Sequence, residues 1–67
     1  MAATIRILVV DDNDAVRHGI CGVLRTEPDF EVVSEATNGE QAITEAEKFQ
    51  PDVIVLDINM KGLREIR

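Results

Sequence analysis

Two short runs, Ile7-Leu8-Val9-Val10 and Val53-Ile54-Val55-Leu56, are apolar at every position, and each stops at an aspartate, Asp11 or Asp57. A strand with one wet face alternates apolar and polar residues. A strand with no polar position expects cover on both faces, as in the parallel sheet of an α/β layer. The segments between the two runs must then supply the crossovers.

They do so in order. Ile5-Arg6-Ile7-Leu8-Val9-Val10 reads as a first strand. Asp12-Asn13-Asp14 reads as a helix start, because an Asp or Asn oxygen satisfies free N–H groups there and negative charge suits that end. The helix runs to about Glu27, with Val16, Gly19, Ile20, Val23 and Leu24 as its apolar stripe and Arg17, His18 and Arg25 opposite. Pro28-Asp29 ends it. Phe30 to Ala36 reads as a second strand, more charged than the first, as an edge strand should be. Thr37-Asn38-Gly39 turns the chain, with Asn38 as cap and Gln41 as its capping-box partner. A second helix runs to about Phe49, with Ala42, Ile43, Ala46 and Phe49 on its apolar side. Pro51-Asp52 breaks it before the third strand. Ile58 to Arg67 forms a tail too short to secure a further helix. The order β-α-β-α-β predicts an α/β fold with a parallel sheet and right-handed crossovers.

Composition narrows what such a unit can do. At 67 residues the chain is one domain at most, and with Phe30 and Phe49 as its only aromatics the core must be aliphatic. A formal charge of −6 argues against a nucleic-acid surface and for a cation or a basic partner. A lone cysteine, Cys21, excludes an internal disulfide and suggests the reducing cytoplasm. His18 reads as a solvated surface residue. No signal peptide and no run of membrane-spanning length is visible.

Parallel strands bring their C-terminal ends to one sheet edge, where ligands of open α/β sheets bind. If the first and third strands are neighbours, Asp11, Asp12 and Asp57 converge there. Three facing carboxylates repel unless a cation offsets them, and oxygen ligands with water suit Mg²⁺. The main-chain carbonyl of Asn59 is a further oxygen within reach. Taken singly, Asp11 and Asp12 read as a strand end and a helix cap, and Asp57 as a turn residue. A dinucleotide site is disfavoured, since Asp11-Asp12-Asn13-Asp14 stands where a Gly-rich phosphate loop would be.

Val9-Val10-Asp11-Asp12 after an aliphatic strand, followed by Pro51-Asp52-Val53-Ile54-Val55-Leu56-Asp57-Ile58-Asn59-Met60, resembles the receiver domain of bacterial two-component response regulators, of the chemotaxis-receiver type. Glu35-Ala36-Thr37-Asn38-Gly39-Glu40-Gln41-Ala42 resembles that family's second loop and helix. The resemblance implies a flavodoxin-like fold with strand order 2-1-3-4-5, of which this chain supplies 2-1-3. It implies Asp57 as phosphoacceptor, taking a phosphoryl group from a phosphohistidine on a sensor histidine kinase. It also implies Mg²⁺ held by Asp11, Asp12, Asp57 and the carbonyl of Asn59. The chain would then be a signalling module acted on by a kinase, in the cytoplasm, and not an enzyme in its own right. It would bind neither nucleic acid nor membrane directly.

The chain also departs from the family. The Thr or Ser that ends the fourth strand and the Lys that ends the fifth are missing, and Lys48 and Lys61 are the only lysines. Met60-Lys61-Gly62-Leu63 runs on where the family has Pro and a longer spacer. Residues 1–60 therefore read as the N-terminal half of a receiver, and 61–67 as an atypical tail after truncation or internal deletion. In the order 2-1-3 the third strand becomes an open apolar edge, which predicts a homodimer or higher oligomer. The alternative function is a structural half-domain that self-assembles through this strand without phosphotransfer.

Overall fold

The structure is a computed structural model that describes residues 3–56. Among the described residues five elements follow one another: β1 (Ile5–Val10), α1 (Asp14–Arg25), β2 (Phe30–Ala36), α2 (Gly39–Phe49) and β3 (Val53–Leu56). All strands are parallel in the order β2-β1-β3, as the alternation predicts. Each face of the sheet has its own small core. Leu8, Val10 and Ala36 pack with Ala42 and Ala46 of α2. Ile7 and Val9 pack with Cys21 of α1, flanked by Ile20, Leu24, Phe30, Val32 and Val55. Successive residues of β1 thus serve opposite layers, which is why its last four positions are all apolar and all buried.

The pairing of β1 with β2 slips once. Ile7 faces Val32 but Leu8 faces Ser34, so Val33 has no partner and forms a bulge. Beyond it, Glu35 stands opposite Val9 and Ala36 opposite Val10.

Both helix starts are capped by asparagine. The Asn13 side chain accepts from the N–H of Val16 at 3.0 Å, and that of Asn38 accepts from the N–H of Gln41 at 2.8 Å. The expected return arm of the second box is displaced by one residue: Gln41 Oε1 accepts from the N–H and hydroxyl of Thr37. Helix α2 ends at Gln50, which has left-handed backbone (φ 50°) and donates its N–H to Ala46 at 2.8 Å. Asp52 then fixes the start of β3. Its carboxylate accepts from the Arg6 N–H at 2.9 Å, and its own N–H donates to the Arg6 carbonyl at 2.8 Å.

The expected apolar stripe of α1 needs correction. Val16, Gly19 and Val23 lie on the exposed side, Val23 at 69%, while Arg17 and Cys21 face the sheet at 8% and 0%. Apolar spacing alone placed Arg17 outside. Its charge can go inside because acceptors meet it there, as described below. His18 is exposed, as expected. No described helix is long and apolar enough to cross a membrane.

Candidate functional site

β1 and β3 are direct neighbours, paired from Ile7↔Val53 through Val10↔Leu56. This meets the condition for their carboxyl ends to lie side by side. Asp11 follows Val10 and Asp57 follows Leu56 in the sequence. Asp57, Asn59 and the tail 61–67 lie outside the described residues, so the structure places two of the four expected ligands, Asp11 and Asp12.

Asp11 is 2% exposed. Its N–H continues the sheet by donating to the Ala36 carbonyl at 3.0 Å. Its Oδ1 accepts from the Asn13 N–H at 2.8 Å, a local turn that leads into α1. Its Oδ2 is buried and has no hydrogen-bond partner among the described residues. Asp12 is exposed. The cap of α1 belongs to Asn13, so capping does not account for the aspartates before it.

Arg17 lies behind this loop, and sequence reasoning missed it. One guanidinium serves three segments. Nε donates to Glu35 Oε1 of β2 at 2.9 Å, Nη1 donates to the main-chain carbonyl of Asp11 at 2.9 Å, and Nη2 pairs with Asp14 Oδ1 of α1 at 2.8 Å. Donating to the carboxylates of Glu35 and then Asp14 raises the affinity of Arg17 for its proton, so it stays charged despite burial. Arg25 adds a longer contact to Glu35 at 3.9 Å. The signal available in the sequence was spacing: Arg17, Cys21 and Leu24 share a helix face, and Asp14 stands one turn before Arg17.

A buried carboxylate oxygen without a partner is costly, and an ion is one of the few things that satisfies it. The donor set fits a hard divalent cation, which takes carboxylates, main-chain carbonyls and water. Among the described residues no group of three or more His, Cys, Asp or Glu could hold a metal ion. A site here would need oxygens from beyond Leu56.

Residues 7–65 match the response regulator receiver domain family. The chain is 46% identical over 56 residues to the transcriptional regulatory protein DegU of Brevibacillus brevis, covering 84% of this chain and 24% of that protein. It is 47% identical over 57 residues to the nitrate/nitrite response regulator protein NarL of Escherichia coli (strain K12), covering 85% and 26%. Against the transcriptional regulatory protein LiaR of Bacillus subtilis (strain 168) it is 41% identical over 59 residues, covering 88% and 28%. The chain spans about a quarter of the length of these curated relatives.

Proposed function

This chain belongs to the response regulator receiver domain family, and on that premise we propose that Asp57 accepts a phosphoryl group from the phosphohistidine of a sensor histidine kinase. Asp11, Asp12, Asp57 and the main-chain carbonyl of Asn59 are the oxygens that would hold Mg²⁺. The observation that carries the reading is Asp11 Oδ2, a buried acceptor without a partner among the described residues, at the carboxyl end of a strand that neighbours β3.

The roles follow from charge. An Asp57 carboxylate oxygen forms a new P–O bond as the P–N bond breaks, leaving the electron pair on the imidazole nitrogen. Bound Mg²⁺ would neutralise the carboxylates and the incoming phosphoryl oxygens. Asp11 contributes a buried oxygen held by its Asn13 turn, and Asp12 contributes an exposed one. The module works in the cytoplasm in this reading. Incubation with Mg²⁺ and acetyl phosphate tests it: the chain gains one phosphoryl mass, and Asp57→Asn abolishes the gain. No gain in the unmodified chain, at any Mg²⁺ concentration, would sink the phosphoacceptor assignment.

One observation favours a second activity of the same surface. β3 is paired only by β1 among the described residues, and Val53, Ile54 and Leu56 are 44%, 45% and 59% exposed. We propose that this edge takes a further strand, and that in the isolated chain the strand comes from a second copy, antiparallel by two-fold symmetry. Sedimentation should show a dimer or larger species that dissociates in Ile54→Lys. A folded monomer at high concentration rejects self-pairing.

A further inference from the structure

We propose that Arg17 is a positioning residue for the carboxylates that follow β1. It fixes the Asp11 main chain from behind while taking neither carboxylate oxygen, and Oδ2, unpartnered among the described residues, remains to take a divalent cation. The inference rests on the metal-site reading above and adds to it a residue that the ligand set does not contain.

The geometry has three parts. First, Arg17 is 8% exposed, and each of its three guanidinium nitrogens has its own acceptor on a different segment: the loop that follows β1, the first turn of α1 and the end of β2. A planar fork engaged on three segments fixes their relative placement, which a single point charge cannot do. Second, the contact to Asp11 goes to its carbonyl, 2.9 Å away, and not to its carboxylate. A buried arginine beside a buried aspartate would ordinarily pair with the acid. Here Oδ1 is taken by the Asn13 N–H and Oδ2 has no partner among the described residues. Third, Asp14 and Glu35 offset the guanidinium charge, so the cation meets a balanced cluster behind the loop and not a bare positive charge. Such outer partners orient a ligand without touching the metal, and their loss typically weakens metal binding by about 10–100-fold.

The sign of the effect separates positioning from simple electrostatics. By Coulomb's law alone, removing a positive charge near a cation site tightens cation binding. Positioning predicts the reverse. The decisive variant is Arg17→Lys, which keeps the charge and loses the fork. Calorimetric titration of the purified chain with Mg²⁺ alone should show affinity lowered by about tenfold or more, with helix content by circular dichroism unchanged. In the metal-free chain, amide exchange at Asp11 and Asn13 should speed up, because their N–H bonds to Ala36 and to Asp11 Oδ1 depend on where this loop is held. Glu35→Gln removes a negative charge and so weakens Mg²⁺ binding by Coulomb's law as well; it calibrates the electrostatic effect against which the charge-conserving Arg17→Lys is read.

Asp12→Asn serves as the control on the underlying reading. If the unmodified chain binds Mg²⁺ and Asp12→Asn weakens it, the metal site stands. Mg²⁺ affinity that is then unchanged or tighter in Arg17→Lys overturns the positioning role alone. If the unmodified chain binds no Mg²⁺, the metal-site reading falls and takes this inference with it.

Discussion

Val10 at the end of β1 lies opposite Leu56 at the end of β3, in a parallel pairing that runs from Ile7↔Val53 without a slip. In contrast to the β1–β2 side, nothing here shifts one strand against the other. The residue after each partner is an aspartate. Acidic residues that share an ion should bind it as a unit. We expect Asp11→Asn and Asp57→Asn each to weaken Mg²⁺ binding, and the double variant to weaken it by less than the sum. The coupling energy from a double-mutant cycle should be about 0.5–3 kcal/mol. Strict additivity would mean that the two carboxylates do not share an ion.

The two layers meet at β1, so its central residues carry the fold. Leu8 is fully buried between β2 and α2. Leu8→Ala should destabilise the chain by about 2–5 kcal/mol in denaturant unfolding. The exposed Val23→Ala on α1 should change stability by no more than about 0.5 kcal/mol.

Cys21 is fully buried under the sheet. Burial, and secondarily the nearby Glu35 charge, raises its thiol pKa above the ordinary value of 9.0. The folded state therefore prefers the neutral thiol. That preference contributes its full stability below pH 9.0 and is lost as pH rises through the higher folded value. Thermal midpoints should fall on the alkaline side in the native sequence and fall less in Cys21→Ala. Native Cys21 should also label slowly with a thiol reagent at neutral pH and quickly once denatured.

Gln50 holds left-handed backbone at φ 50° without being glycine. An L-residue in that region costs about 1–2 kcal/mol, and glycine gives back about 0.5–1 of this in the unfolded chain. Gln50 also donates its side-chain amide to the Glu47 carbonyl at 3.0 Å, a contact glycine lacks. Gln50→Gly should therefore be stabilising by only about 0.5 kcal/mol or close to neutral. Gln50→Val, which combines β-branching with positive φ, should be clearly destabilising.

Much of this was legible from sequence because local and global signals agree. Four consecutive apolar residues ending in Asp mark both β1 and β3, and Asn38 with Gln41 marks the start of α2. Strand order and direction followed from the alternation of elements. Arg17 was not legible, because its burial depends on Glu35, 18 residues away, on a different element. Helical periodicity sorts residues by their own polarity and cannot register a partner brought in by the sheet. The same limit applies to Val23, apolar yet outward. The edge position of β3 among the described residues was anticipated, since its composition suits a central strand while the order 2-1-3 leaves it at the margin.

The bulge at Val33 decides which residues of β2 meet which helix. Before it, Val32 stands opposite Ile7 and packs on the α1 layer; after it, Glu35 stands opposite Val9 and reaches Arg17 on that same layer. Ser34 meanwhile meets Glu45 of α2. An even and an odd residue share one side only because a residue is skipped between them. The bulge is thus a change of parity written into the strand. Without the slip, an unbroken ladder of the same sequence would set Ser34 opposite Val9 and Glu35 opposite Val10, turning Glu35 toward the acidic flank of α2 and leaving Arg17 to find its counter-charge elsewhere. The register of β2, and not only its composition, is therefore part of the site at the far end of β1.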